Sequence, residues 1–91
     1  MNYFLNYFVE TLIETVNYAG NRLTFKVDDK VYQPEDLPIN ELYSNDIIDI
    51  VVCGWTVASI SVFTIKQFNK TSLKAYSDLL STFAYVAELK G

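Results

Sequence analysis

Side chains able to do acid–base or nucleophilic chemistry are few in this 91-residue chain, which has no histidine and one cysteine. A nucleophile would have to take its base from lysine or a carboxylate. Adjacent carboxylates occur at Asp28–Asp29 and Glu35–Asp36, but neighbours on a loop point apart and stay solvated. Cys53 lies in the most apolar stretch of the chain, where a thiol is expected to be buried and inert. The sequence therefore predicts a protein that is not an enzyme.

Ligand sets for metals and cofactors are equally scarce. The absence of histidine removes the usual zinc and copper sites, and no Asp-x-Asp-x-Asp-Gly loop is present for calcium. Three glycines, at positions 20, 54 and 91, are too few and too scattered for a phosphate-binding loop. We expect no metal and no cofactor.

Charge is the most unevenly distributed property of the chain. Residues 28–49 contain seven carboxylates and one lysine, a net charge of −6, against −4 for the whole chain. A local field of this kind steers association with partners of opposite sign, and tyrosines beside charges are typical of interface hot spots. The alternative is that these charges only keep a loop solvated. The residues predicted to contact a protein partner with a basic, nucleic-acid-binding surface are Asp28, Asp29, Tyr32, Glu35, Asp36, Glu41, Tyr43 and Asp46.

Two other surfaces are weaker candidates. Lys66, Lys70 and Lys74 could form a basic cluster, but an isoelectric point near 4.5 argues against direct nucleic-acid binding. Aromatic residues on the outer faces of the two predicted helices could instead join two copies of the chain, which makes a homo-oligomeric assembly protein the alternative function. The residues of this possible self-association surface are Tyr3, Tyr7, Tyr18 and Tyr85.

The hydrophobic pattern predicts which elements carry these residues. A period of 3.6 residues predicts a helix over residues 2–19 and another from a cap at Thr71 or Ser72 to about Lys90. The apolar residues of the second helix are expected to share one broad buried arc. They are Leu73, Tyr76, Leu79, Leu80, Phe83, Ala84, Val86 and Ala87.

Between the helices the pattern changes to strands. Residues 23–32 predict a hairpin that turns at Asp28–Asp29, followed by an irregular, proline-containing stretch with one helical turn around residues 39–43. Residues 47–53 predict a strand buried on both faces, and residues 55–65 a half-buried strand. Lysines 66 and 70 bound a predicted polar loop.

One alternative concerns the uncharged run from Ile50 to Ile65. A single membrane span needs about twenty apolar residues, and this run is shorter and rich in β-branched residues. Two core strands joined at Gly54 explain it better, and the start of the chain does not resemble a secretory signal. One cysteine gives no internal disulfide, so a cytoplasmic location is expected.

The predicted fold is a small single α+β domain over residues 1–91, in the order helix, four antiparallel strands, helix, with both helices on one face of the sheet. No family motif can be quoted from the sequence. Small size, acidity and lack of catalytic groups are similar in general character to inhibitor proteins of phages and mobile elements, among them acidic anti-CRISPR proteins. Composition of this kind does not establish function, so the predicted function is a non-catalytic, protein-binding module.

Overall fold

The computed structural model describes residues 3–16 and 23–91, which form one four-stranded sheet and three helices. Two short 3₁₀ turns, Pro34–Asp36 and Ile39–Glu41, lie between the second and third strands. The elements are α1 (Tyr3–Thr15), β1 (Leu23–Val27), β2 (Lys30–Tyr32), β3 (Ile47–Val52), β4 (Trp55–Ser61), α2 (Val62–Gln67) and α3 (Lys70–Lys90).

The sheet has the order β2-β1-β3-β4, and every neighbouring pair is antiparallel. Phe25 of β1 pairs with Tyr32 of β2 and with Ile50 of β3, so these three side chains share one face. The predicted α+β order and the antiparallel sheet are confirmed.

Only one face of the sheet is buried. Phe25, Ile48 and Ile50 are completely buried beneath the helices, whereas Asp49 and Val51 on the opposite face are partly exposed. The prediction that the strand over residues 47–53 is buried on both faces is therefore wrong. Its β-branched composition reflects the central position of β3 and its pairing with two neighbours; the helices form a layer on one side only.

The chain turns into a helix where the sequence predicts a continuing strand. Strand β4 ends at Ser61, whose hydroxyl oxygen accepts a hydrogen bond from the backbone N–H of Thr64 at 3.1 Å and caps α2. The N–H groups of Val62 and Phe63 donate to the carbonyl oxygens of Asp46 and Ser44, both at 2.9 Å. Three otherwise unpaired donors of the first turn are satisfied in this way.

Helix α3 begins at a capping box rather than at Thr71 or Ser72. The Asn69 side chain accepts from the N–H of Ser72 at 2.8 Å, and the Ser72 hydroxyl accepts from the N–H of Asn69 at 3.0 Å. The predicted polar loop is thus reduced to a short link between α2 and α3.

The buried face of α3 is narrower than the predicted arc. Leu73, Ser77, Leu80, Ala84 and Ala87 are buried. The small residues allow neighbouring elements to approach the helix closely, so fewer positions are needed to fill the space. Three predicted core positions lie largely in solvent instead: Leu79 is 53% exposed, Phe83 45% and Val86 45%.

An aromatic cluster joins α1 to the start of α3. The rings of Phe8 and Phe68 are stacked with centroids 6.5 Å apart, and Tyr76 lies 5.1 Å from Phe68. Burial raises the pKa of the Tyr76 hydroxyl above its ordinary value, because the charged form loses hydration. The cluster fixes where the N-terminal half of α1 packs.

Both hairpin turns use left-handed backbone. Asp28 and Asp29 have φ of 50° and 66°, and Cys53 and Gly54 have φ of 53° and 83°. Cys53 therefore lies in a tight turn, half-buried, and not inside a buried strand as predicted. The uncharged run over residues 50–65 divides into β3, β4 and the start of α2. Among the described residues, no helix has the length and apolar character to cross a membrane.

Candidate protein-binding site

The tip of the β1–β2 hairpin and the loop before β3 enclose a concave pocket of about 340 Å³. Most residues that line this pocket belong to the acidic segment, residues 28–49. Five of the eight residues predicted to contact a partner line it: Asp28, Tyr32, Glu41, Tyr43 and Asp46.

The hairpin positions the first two of these residues. Tyr32 pairs with Phe25, and its side chain is half-buried against the core, which holds the ring in place. Asp28 occupies the first left-handed position of the turn. A two-residue turn of this type follows the right-handed twist of the strands it joins, and it brings Asp28 to the pocket rim.

The loop side of the pocket is held by backbone hydrogen bonds. The N–H of Asp46 donates to the carbonyl oxygen of Tyr43 at 3.0 Å, and one carboxylate oxygen of Asp46 accepts from the N–H of Tyr43 at 2.7 Å. The Asp46 carbonyl also accepts from α2. Asp46 is consequently first of all a structural residue of this loop.

The pocket combines negative charge with aromatic surface. Asp28, Glu41 and Asp46 contribute carboxylates, Lys30 contributes one cation, and Tyr43 is 74% exposed. Carboxylates accept charge-assisted hydrogen bonds from guanidinium or ammonium groups, and tyrosine faces attract the same cations. A basic side chain is the ligand that this set of groups fits chemically.

The remaining predicted contact residues lie elsewhere. Glu35 and Asp36 are exposed on the 3₁₀ turn Pro34–Asp36 and do not line the pocket. Asp29 points into solvent, with its carboxylate 3.8 Å from the ammonium nitrogen of Lys26. The structure thus divides the predicted set into five residues that line the pocket and three exposed carboxylates that do not.

Asp49 contributes to neither part. It lies on the open face of the sheet, where its carboxylate accepts a hydrogen bond of 2.6 Å from the Ser59 hydroxyl on β4. The charge of the acidic segment is therefore less concentrated in space than along the sequence.

Four pocket residues were missed by sequence reasoning: Val27, Lys30, Pro38 and Leu42. Lys30 was counted only as a charge. The register of the hairpin could have indicated Lys30. The residue directly after a two-residue turn lies opposite the residue directly before the turn, and Lys30 indeed pairs with Val27. Nothing local marks Pro38 and Leu42, which reach the pocket through the path of the loop.

A second concave surface lies between α1 and the start of α3. This groove of about 500 Å³ is lined mainly by apolar and aromatic side chains, among them the exposed residues Tyr3, Phe4 and Tyr7. Tyr85 lies fifteen residues beyond Lys70 of this groove, about 22 Å further along α3 at the helical rise. Tyr18 lies outside the described residues. The structure does not bring Tyr85 to the same surface as Tyr3 and Tyr7.

Within residues 3–16 and 23–91, no group of three or more potential metal-ligating side chains is close enough to hold an ion. Comparison with protein-family models, with curated proteins and with solved structures gave no match. Functional inference for this chain therefore depends on its own surfaces.

Proposed function

We propose that this protein is a non-catalytic binding module that docks its acidic segment on a basic surface of a partner protein. The observation that carries the proposal is the pocket in which three carboxylates and two tyrosines of that segment meet. An arginine or lysine side chain of the partner enters this pocket, and the exposed carboxylates around it contact neighbouring basic residues.

The two parts of the site have different physical roles. Exposed Asp29, Glu35 and Asp36 act over distance, because a field of one sign raises the rate of encounter and orients the partner. The pocket supplies the short-range term. A hydrogen bond to a charged group is worth about 1.5–3 kcal/mol, and a cation over an exposed tyrosine adds about 0.5–1 kcal/mol.

Proteins that bind nucleic acids present the matching surface. Their phosphate-binding grooves are lined by arginine and lysine, and a set of carboxylates at the rim of a compact domain can occupy such a groove in place of phosphates. The proposal therefore includes inhibition of a nucleic-acid-handling protein, the mode of action of acidic inhibitors from phages and mobile elements. The carboxylates of the pocket and the three exposed carboxylates outside it support this assignment.

A peptide titration tests the pocket directly. We expect a short arginine-containing peptide to shift the amide NMR signals of Asp28, Tyr32 and Tyr43, and addition of salt to weaken the binding. The same peptide with citrulline in place of arginine keeps the shape and loses the charge. Equal shifts with both peptides, or shifts spread evenly over the protein, would contradict the proposal.

Matched variants separate the pocket from net charge. Asp28→Asn with Glu41→Gln removes two pocket carboxylates, and we expect at least a tenfold loss of affinity for the arginine peptide, since each lost charge-assisted bond is worth about tenfold or more. Glu10→Gln with Glu14→Gln changes the net charge by the same amount as the pocket variant, but at two positions on α1 that do not line the pocket. This control should bind the peptide nearly as well as the parent protein.

A further inference from the structure

The strand β4 forms one edge of the sheet, and no described strand lies on its outer side. Its seven residues, Trp55–Ser61, include no charged residue and no proline. Natural proteins protect edge strands with charges, proline, bulges or short length, because unpaired backbone groups accept another strand. Of these devices β4 has one, a bulge.

The bulge leaves part of the edge regular. Ile50 pairs with Ala58 and Val51 with Thr56, so Val57 is the extra residue, and the stretch Ala58–Ser61 continues in unbroken register. Backbone groups alternate in direction along an antiparallel strand. Since the N–H of Val62 donates to Asp46 beside β3, the backbone groups of Ile60 point toward β3. Those of Ser59 and Ser61 therefore point outward.

An apolar stripe on α3 accompanies this edge. Leu79, Phe83 and Val86 follow the three- and four-residue spacing that places them on one side of the helix, and all three are exposed. Lys90 continues the same spacing, and its ammonium nitrogen lies 5.3 Å from the centre of the Trp55 ring. Because Trp55 is the first residue of β4, the C-terminal end of the stripe lies beside the start of the edge strand.

We infer that this combined surface, the outer edge of β4 and the α3 stripe of Leu79, Phe83 and Val86, pairs with the same surface of a second copy of the chain. The two β4 strands pair antiparallel about a two-fold axis and join the sheets into one of eight strands. The stripes of the two α3 helices then cover each other. An isologous contact of this kind needs a surface that is complementary to itself.

The charge distribution selects a second copy as the occupant. Two chains of net charge −4 repel each other unless their contact surfaces are neutral and their acidic parts stay apart. The strand β4 and the stripe meet the first condition and the acidic hairpins meet the second, whereas Asp49 lies one strand from the edge, with its carboxylate bonded to Ser59. The β1–β2 hairpin lies at the opposite edge of the sheet, so the two acidic hairpins of the dimer are separated by seven strand spacings, about 34 Å, against a screening length of about 8 Å at physiological salt.

The strand composition favours the same occupant. Any alternative strand could pair with β4 through its backbone, but β4 offers no charge by which to select it. An identical strand places serine opposite serine or small apolar residues, with no like charges opposed across the new pair. Self-pairing therefore satisfies the outward-pointing backbone groups of β4 and at the same time buries the α3 stripes of both copies.

Sedimentation equilibrium on the purified chain tests the inference. We expect a dimer whose association changes little with salt, since no charge lies in the contact. Leu79→Glu with Phe83→Glu should give a folded monomer, with at least a hundredfold weaker association. Tyr85→Glu with Leu89→Glu changes two equally exposed residues on another side of α3 and should remain dimeric. A parent protein that stays monomeric up to about 1 mM overturns the inference.

A variant on the strand provides an independent test. Ser59→Lys places a lysine next to Asp49, its partner across the β3–β4 pair, so the fold retains a favourable contact while the edge gains a charge. This variant should also be monomeric, with an unchanged circular dichroism spectrum. A dimer that survives both edge variants but dissociates on Tyr3→Ala with Tyr7→Ala would instead assign self-association to the aromatic groove. Loss of the dimer leaves arginine-peptide binding intact, so this inference and the proposed function fail separately.

Discussion

The two edges of the sheet are built in different ways. Strand β2 has three residues, carries Lys30, and is flanked by the acidic turn and by Pro34. Strand β4 has seven residues and no charge, and its Ile60 is almost completely buried. Short length, charge and proline all discourage strand addition; the β2 edge has all three and the β4 edge has none of them.

This difference indicates how one small domain can offer two surfaces without conflict. In the function that we propose, the charged edge attracts an unlike, basic partner through its field. In the dimer that we infer, the neutral edge contacts a second copy through backbone hydrogen bonds and apolar area. Binding at one edge leaves the other free because they lie on opposite sides of the sheet.

The largest difference between the edges is expected in stability. Ile60→Ala removes a side chain that is only 7% exposed and should lower the free energy of unfolding by about 2–4 kcal/mol, as large-to-small core substitutions do. Val31→Ala on β2, where the side chain is 64% exposed, should change it by less than about 0.5 kcal/mol. Urea unfolding followed by circular dichroism measures both.

Dimer dissociation must be kept out of this comparison, because a parent dimer gains stability with concentration. Both substitutions are therefore made in the Leu79→Glu, Phe83→Glu background. Equal costs at the two edges would show that β2 is anchored to the core as firmly as β4.

The two hairpin turns give an intermediate effect of opposite sign. Gly54 has φ of 83°, and a Cβ added there would meet no atom within 4 Å, so Gly54→Ala should cost about 1–2 kcal/mol through backbone strain alone. Asp28→Asn with Asp29→Gly supplies the residues that a turn with two left-handed positions prefers. It should stabilise the protein by about 0.5–1 kcal/mol. Thermal unfolding of both variants measures these two changes in stability.

The turn variant also bears on function. It removes two carboxylates while strengthening the turn, so the arginine peptide should bind more weakly to a more stable protein. A gain in stability with unchanged binding would show that the turn carboxylates do not take part in recognition.

The smallest effect concerns the end of the neutral edge. Lys90→Ala removes a cation located 5.3 Å from the Trp55 ring centre and should destabilise the protein by about 0.5–1 kcal/mol. Because Trp55 is the only tryptophan of the chain, its fluorescence emission should shift as well. Lys70→Ala, at the other end of α3, should leave the emission unchanged.

Much of the fold could be predicted from local patterns. The 3.6-residue period of α1 predicts that Phe4, Leu5, Phe8, Val9, Leu12 and Val16 share a buried arc. All of them are buried except Phe4, which is 55% exposed, and residues 2 and 17–19 of the predicted helix lie outside the described residues. The hairpin and its turn at Asp28–Asp29 are confirmed, as is a helical turn at Ile39–Glu41. These features depend on neighbours in sequence, which is why the sequence reveals them.

The errors arise where long-range packing decides. Ser59, Ile60, Ser61 and Val62 alternate in polarity like a strand, but Val62 and Ile65 are buried at a helical spacing of three. Two of the three hydrogen bonds at the start of α2 are accepted by carbonyl oxygens of Ser44 and Asp46 in the acidic loop, far away in sequence. Likewise Leu79 and Phe83 have the spacing of core residues, and only the position of α3 near the sheet edge leaves them exposed.

The candidate site was predicted in part for the same reason. Charge and tyrosine content located the acidic segment, and five of the eight predicted contact residues meet in one pocket. Which carboxylates converge depends on the path of the loop. That path is fixed by the bonds of Asp46 to Tyr43 and to α2, which no local pattern indicates.

The packing of α1 on α2 and α3 has a consequence for synthesis of the chain. Helix α1 leaves the ribosome before the sheet and α3 after it, yet Phe8 of α1 packs with Phe68 and Tyr76. During translation, the apolar face of α1 therefore remains partly exposed until α3 has emerged from the ribosome. The helical layer can fold completely only after α3 has been made, and a chain stalled before α3 would expose that face to chaperones.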